Sequence, residues 1–181
     1  MLMKNIVRAK VEKKFEVNII ILDKDWKRAL PNIEFFAKKV AKYTLLYTRK
    51  APPSSSLSIV LAGDDFVRAL NKSYRNENKY TNVLSFPASD DVVVNKTKEE
   101  ITLGDVILSL KKIQTESVEQ NKSFKNHFAH LMVHGILHLL GYVHANTKEA
   151  KKMEELEKLI LKNMGINNPV SYTHLRAHET L

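Results

Sequence analysis

The sequence predicts a single α+β domain in which a small mixed sheet packs against helices. Its 181 residues suffice for one hydrophobic core and are few for two. Short apolar segments rich in β-branched residues predict strands, and segments with apolar residues at helical spacing lie between them. Beyond residue 123 only helical spacing occurs, and no repeat or internal linker divides the chain. This order of elements favours one α+β domain.

The predicted strands share aliphatic, β-branched composition and end at turn or helix-starting residues. They are residues 15–22, 57–62, 83–86 and 103–108. The predicted helices share apolar residues three or four positions apart, and most begin near a capping or turn residue. They are residues 26–47 with Pro31 near the start, a helix capped by Asp64 or Asp65 that carries Tyr74, residues 109–120, a helix from Ser123 to about Leu140, and residues 147–164. We expect loops at residues 52–56 and 88–100.

Composition excludes several classes of protein. The absence of cysteine excludes disulfides and thiolate metal sites and favours a reducing cytoplasm. No run of 18 apolar residues predicts a membrane span, and the charged N-terminus lacks the apolar core of a signal peptide. The net charge of +9 favours a polyanionic partner. We assign residues 1–170 to the domain and residues 171–181, which include His174 and His178, to a non-native or disordered tail.

The strongest motif is HGILHLLGYVH, which runs from His134 to His144. On a helix, His134 and His138 lie one turn apart on the same face. Gly141 can adopt the left-handed conformation that ends a helix, so that the chain turns back and brings His144 to the other two. Three imidazoles suit zinc, and three protein ligands leave a fourth position open, as in catalytic sites. The motif therefore predicts one zinc ion per chain.

This histidine spacing is similar to that of the metzincin proteases, in which a glutamate follows the first histidine and acts as general base. Here Gly135 occupies that position. Because glycine cannot transfer a proton, peptide hydrolysis is the less favoured chemistry.

Three further segments accompany the histidine motif, and together they resemble the YbeY family. They are LNKSYR at residues 70–75, TNVLSFP at residues 81–87 and LGDVILS at residues 103–109. The resemblance spans about residues 15–170, with the motifs in the family's order. It implies a single α+β domain with a metalloprotease-like zinc helix.

The resemblance also implies an activity. Members are zinc-dependent endoribonucleases specific for single-stranded RNA, which mature the 3′ end of small-subunit ribosomal RNA and act in ribosome quality control. Zinc would lie on His134, His138 and His144, and Arg75 would lie in the catalytic, RNA-binding cleft, where it would stabilise charge on the phosphorus. The implied partners are ribosomal RNA, the small subunit, one of its proteins and an assembly GTPase.

Several alternatives stay open. Val143 and Asn82 each stand where the family usually has aspartate, so the chain could instead be a non-catalytic assembly factor with structural zinc; a zinc peptidase is the third reading. Asp105 could orient a histidine or stabilise a turn. His130 could be a further ligand, a residue that supports the ligands from behind, an RNA-facing residue or a packing residue. The nucleophile is either an activated water or the 2′-hydroxyl of the RNA.

Overall fold

The computed structural model describes residues 13–48, 50–88 and 100–166, which form a four-stranded sheet with helices on both faces. The strands are β1 (Lys14–Ile21), β2 (Ser54–Ala62), β3 (Val83–Pro87) and β4 (Ile101–Ser109). The helices are α1 (Asp25–Ala29), α2 (Ile33–Tyr47), α3 (Asp64–Arg75), α4 (Leu110–Glu119), α5 (Phe124–Leu139) and α6 (Thr147–Asn163).

The sheet is mixed, as the sequence predicts. Its strand order is β1-β2-β4-β3, with β1, β2 and β4 parallel and β3 antiparallel to β4. The register places Val83 opposite Leu108 and Phe86 opposite Asp105. The short antiparallel strand β3 therefore forms one edge of the sheet.

Helix α5 lies at the centre of the larger core. It packs against β3 and β4 and also contacts α2, α4 and α6. Most of its residues are buried, including Phe128, Met132 and Ile136, which have no exposed surface. Helix α3 covers the opposite sheet face, where Val67 belongs to a smaller apolar cluster with residues of β2, β3 and β4. A helix with apolar residues on all of its sides is usually buried, and apart from its histidines most of α5 is apolar.

The predicted helix at residues 26–47 is two helices. Leu30 has φ −148° and ψ 97°, an extended conformation that separates α1 from α2. Pro31 follows it, and the proline ring disfavours helical geometry in the preceding residue. Trp26 of α1 is fully buried and its indole N–H donates to the carbonyl of Ala62 at 3.0 Å.

The predicted loop at residues 52–56 was partly wrong, because β2 already begins at Ser54. Ser55 pairs with Phe15 of β1 on one side and with Ile101 of β4 on the other. Main-chain pairing with two neighbours stabilises an extended backbone whatever the side chain, so this serine-rich segment lies in the sheet.

The predicted capping role of Asp64 or Asp65 was wrong for α3. Gly63 holds the N-cap position of that helix, and no side chain caps it. The Asp64 carboxylate instead accepts hydrogen bonds at the start of α4, from Ser109 Oγ at 2.7 Å and from the backbone N–H of Lys111 at 3.0 Å. An anion at a helix N-terminus satisfies exposed N–H groups, so Asp64 joins α3 to α4.

Some predictions fall on other parts of the chain. The tail at residues 171–181, with His174 and His178, lies outside the described residues, as does most of the predicted loop at 88–100. Among the described helices, none has the length and apolar composition that crossing a membrane requires.

Candidate metal centre

Helix α5 and the turn after it bring the three motif histidines together. Ser123 caps the helix by accepting from the backbone N–H of Asn126 at 3.2 Å. At its other end Gly141 has φ 73°, and its N–H donates to the carbonyl of His138 at 2.9 Å. This left-handed turn reverses the chain, as predicted, and returns His144 to the helix.

The three rings surround one point. The ring centroids of His134 and His138 lie 4.6 Å apart, and that of His144 lies 5.1 Å from each of them. One ring nitrogen of each histidine can be chosen so that all three nitrogens lie within 4.8 Å of one another. His134 is buried, while His138 and His144 are partly exposed. The cluster is thus of a size to bind one ion and is open to solvent on one side.

The hydrogen bonds on the far side of two rings orient them for metal binding. His138 Nδ1 donates to the carbonyl of Tyr142 at 2.9 Å, and His134 Nδ1 donates to Glu157 Oε1 at 2.6 Å. These partners accept only, so each Nδ1 carries the proton and each Nε2 has a lone pair. The two Nε2 atoms lie 3.0 Å apart. The two Nε2 atoms thus converge while hydrogen bonds hold the two Nδ1 atoms, an arrangement that suits the binding of one metal ion.

Glu157 is the residue of this site that the sequence analysis missed. It lies on α6 with 1% of its side chain exposed, and its second oxygen accepts from His130 Nε2 at 3.2 Å. Burial alone would raise the pKa of Glu157. The hydrogen bonds from His130 and His134 lower the pKa by more than burial raises it, so that the pKa is about 2. A signal existed, because Glu157 falls on the apolar stripe of α6 with Met153, Ile160 and Leu161.

His130 does not join the ligand cluster. Its Nε2 faces Glu157, so the hypothesis of a further ligand is not supported by this geometry. Burial lowers the pKa of His130, and the neighbouring Glu157 carboxylate opposes that shift. His130 is therefore buried and its ring is linked to that of His134 through Glu157, which fits a packing or supporting residue rather than a ligand.

Gly135 and Ser85 form the contact between α5 and the edge strand. A Cβ at residue 135 would lie 2.7 Å from Val106 Cγ1 and 3.1 Å from Ser85 Oγ. Ser85 is buried and donates to the carbonyl of Gly135 at 3.0 Å. Position 135 thus faces the sheet so closely that a Cβ would force Val106 to shift, and the Ser85 hydroxyl is used in a hydrogen bond to the helix backbone. These contacts leave no space for a metzincin-type glutamate.

Asp105 lies away from this contact. Its neighbour Val106 faces α5, and successive strand residues point to opposite faces, so the exposed Asp105 lies on the α3 side. A role in orienting a histidine is therefore not supported.

Arg75 is the last residue of α3, and its place in the metal site stays a prediction. Its side chain is partly buried, and its Nε is buried without a hydrogen-bond partner among the described residues. A guanidinium N–H without a partner is costly to bury, and a bound anion would satisfy it.

Lys50 holds the turn that carries His144. Its ammonium donates to the carbonyl of Gly141 at 3.2 Å and lies 4.2 Å from the centre of the Tyr142 ring. Tyr142 in turn accepts from His138 through its carbonyl, so the turn is held both by α5 and by Lys50, which lies four residues before β2. Val143, in the same turn, is 48% exposed.

Asn82 belongs to a second polar cluster, beside α4. Its amide donates to Glu116 Oε2 at 2.9 Å, and His127 Nε2 lies 2.9 Å from the same oxygen. An aspartate at position 82 would place a second carboxylate against Glu116. Burial alone would raise the pKa of Glu116. The hydrogen bonds from His127 and Asn82 lower the pKa by more than burial raises it, so the net shift is downward. An asparagine at position 82 therefore suits the neighbouring carboxylate of Glu116, to which its amide donates.

Comparison with known proteins identifies one family. The family model described as endoribonuclease YbeY matches residues 18–165. Two proteins named endoribonuclease YbeY illustrate the similarity. The one from Paramagnetospirillum magneticum is 40% identical over 145 residues, covering 80% of this chain and 88% of its own. The one from Azorhizobium caulinodans is 37% identical over 157 residues, covering 85% and 95%. A solution structure of a Thermotoga maritima protein, 19% identical, has the same fold with a TM-score of 0.50, covering 88% of this chain and 99% of its own.

Proposed function

Because the chain belongs to the endoribonuclease YbeY family, we propose that it is a zinc-dependent endoribonuclease that cleaves single-stranded RNA. The observation that supports this most is the cluster of His134, His138 and His144, whose ligand nitrogens converge within 4.8 Å. The family name of its relatives supports the reaction, and the histidine cluster supports the metal dependence.

Zinc is the metal we propose, because three imidazoles without thiolate or carboxylate ligands suit it best. When bound, zinc supplies a Lewis acid that polarises a phosphoryl oxygen and activates water. The chain contributes the geometry, because Glu157 and the carbonyl of Tyr142 hold the ligand rings in place.

Arg75 is the residue we propose to bind the scissile phosphate. A guanidinium is always charged and donates two parallel hydrogen bonds to phosphate oxygens. Its buried, unpartnered Nε among the described residues supports a role in binding an anion. Charge that builds on the phosphorus would then be stabilised by a donor already in place.

No glutamate follows His134, so a side chain of the metzincin type does not act as general base here. The nucleophile is either water or the 2′-hydroxyl of the RNA. The product ends distinguish them, since attack by the 2′-hydroxyl leaves a 2′,3′-cyclic phosphate.

In the cell, we propose that the substrate is ribosomal RNA at the 3′ end of the small-subunit RNA, and that the enzyme acts in maturation and quality control of ribosomes in the cytoplasm. The partners would be the small subunit, one of its proteins and an assembly GTPase. The net charge of +9 supports a polyanionic substrate through counterion release.

The test is cleavage of a labelled single-stranded RNA by the zinc-loaded full chain, with a duplex of the same sequence beside it. Arg75→Ala should reduce the rate by roughly 100-fold, the usual cost of removing one transition-state donor. Arg28→Ala is the matched control, because Arg28 is 82% exposed and pairs only with Asp25 at 2.8 Å among the described residues. It should leave the rate unchanged.

Two results would contradict the proposal. If zinc-loaded protein cleaves no RNA while Arg75→Ala complements a family-null strain, the chain is an assembly factor with structural zinc. If it cleaves casein in a chelator-sensitive reaction and spares RNA, it is a peptidase, against the packing at Gly135.

A further inference from the structure

The carboxylate of Glu157 lies between two histidines on a neighbouring helix. Glu157 Oε1 lies 2.6 Å from His134 Nδ1, and Oε2 lies 3.2 Å from His130 Nε2. All three side chains are at most 2% exposed. Both oxygens are thus committed to imidazole N–H groups, away from solvent.

The carboxylate of Glu157 accepts hydrogen bonds from both rings. Each of its two oxygens lies against one imidazole nitrogen and the group is buried, so neither oxygen has water as an alternative partner. Carboxylate oxygens accept hydrogen bonds, so each histidine donates. His134 therefore carries its proton on Nδ1 and offers Nε2 to the ligand cluster.

His130 determines where the carboxylate can point. It lies one turn before His134 on α5, so the two imidazoles form a fixed pair spanning one carboxylate. With Oε2 bonded to His130, the carboxyl group cannot rotate away from His134 without losing a hydrogen bond in a dry environment. His130 thereby fixes the direction of Oε1.

We infer that Glu157 is a positioning residue of the metal site, which selects the tautomer and orientation of His134 and is itself held by His130. The inference rests on the proposed metal binding by the three histidines. It adds that the site is built by two helices, because α6 supplies the group that prepares a ligand on α5. A carboxylate bonded to the outer nitrogen also makes the imidazole a stronger donor to a cation.

The test is metal affinity, measured by competition with a chromogenic zinc chelator. Glu157→Gln keeps the shape of the side chain and one acceptor, and should weaken zinc binding by about 10- to 100-fold. Glu155→Gln is the matched control, because Glu155 is exposed on the same helix, and it should bind zinc as the wild type does. Thermal unfolding of each variant without metal shows whether the fold is retained.

A second readout needs no variant. The ring nitrogens of His134 in metal-free wild-type protein should show by 15N NMR that Nδ1 is protonated, the less common tautomer of a free imidazole. A structural role of Glu157 alone would leave the zinc affinity of a folded Glu157→Gln protein unchanged.

The outcomes separate this inference from the proposed function. Equal zinc affinity of wild type and folded Glu157→Gln, or a His134 ring protonated on Nε2, overturns the positioning role and leaves RNA cleavage unaffected. Weakened zinc binding in Glu157→Gln with no RNA cleavage by the wild type supports the positioning role and contradicts the proposed function. If the wild-type protein binds no zinc, both the positioning role of Glu157 and the proposed function are contradicted.

Discussion

Gly135 determines how close helix α5 approaches the sheet, and it lies next to His134 of the histidine cluster. In most helices alanine is more favourable than glycine by about 1 kcal/mol. Here a Cβ would lie 2.7 Å from Val106 Cγ1 and 3.2 Å from Val83 Cγ2, inside normal contact distance. Since Val106 is fully buried in a close-packed core, it has little room to move.

We predict that Gly135→Ala destabilises the protein by about 1–3 kcal/mol, the usual cost of overpacking a core, despite its better helix propensity. Urea unfolding of the metal-free chain measures this. The double variant Gly135→Ala, Val106→Ala removes the nearest contact. Its loss of unfolding free energy should be smaller than the sum of the losses in the two single variants. A single variant Gly135→Ala more stable than the wild type would show that α5 is not tightly packed here.

At the residue scale, the sequence predicted the cluster of three histidines but not the residues that hold it in place. His134, His138 and His144 follow from local spacing, because a helix and one glycine turn suffice to bring them together. Glu157 is 23 residues from His134 and reaches it only because α6 packs on α5. Only tertiary packing tells it apart from its exposed neighbour Glu155.

Among the elements, α4, α5 and the segment before β3 are joined by one carboxylate. Glu116 of α4 accepts from Asn82 and His127, each at 2.9 Å, and its side chain is 13% exposed. Lys112 lies 3.3 Å from its other oxygen. Loss of the charge of Glu116 would therefore weaken three contacts at once.

We predict that the contacts of Glu116 make the free energy of unfolding fall in acid. The pKa of Glu116 is lowered in the folded state, so its contribution to stability is present above the unfolded pKa near 4.5 and is lost as the pH falls through the folded value. At pH 7, Glu116→Gln should lower the free energy of unfolding by about 1–3 kcal/mol, the usual cost for a hydrogen-bonded charge.

Denaturant unfolding at pH 7 and at pH 3 to 4 measures the effect. The difference between wild type and Glu116→Gln should shrink in acid, whereas Glu119→Gln, an exposed carboxylate on the same helix, should follow the wild type throughout. A difference that does not depend on pH would mean that Glu116 titrates alike in both states.

At the element scale, the sequence predicted each strand and most helices, and it failed where distant contacts decide. Pro31 was visible, yet one continuous helix was predicted over residues 26–47, whereas the chain breaks at Leu30 into two helices. Asp64 was expected to cap its own helix, but its carboxylate reaches Lys111, 47 residues away, because α3 and α4 lie side by side. Such choices depend on packing that a local pattern does not contain.

On the scale of the whole molecule, the fold places a long, almost fully buried helix against the antiparallel edge of the sheet. Sequence patterns predicted a mixed sheet, but not that β3 would pair with β4 at its edge, because strand order depends on crossovers between distant segments. That arrangement brings Ser85 of β3 to the carbonyl of Gly135, one residue after His134. The histidine cluster is thus fixed to the sheet, to α6 and to the turn at Gly141.

Elemental analysis of the purified full chain tests most directly whether this fold holds one zinc ion on its three clustered histidines. The wild type is compared with His138→Ala, and a chain with His174→Ala and His178→Ala controls for zinc bound at the C-terminus. We predict about one zinc per chain in the wild type and in the control, and almost none in His138→Ala. Equal zinc content in wild type and His138→Ala would contradict it.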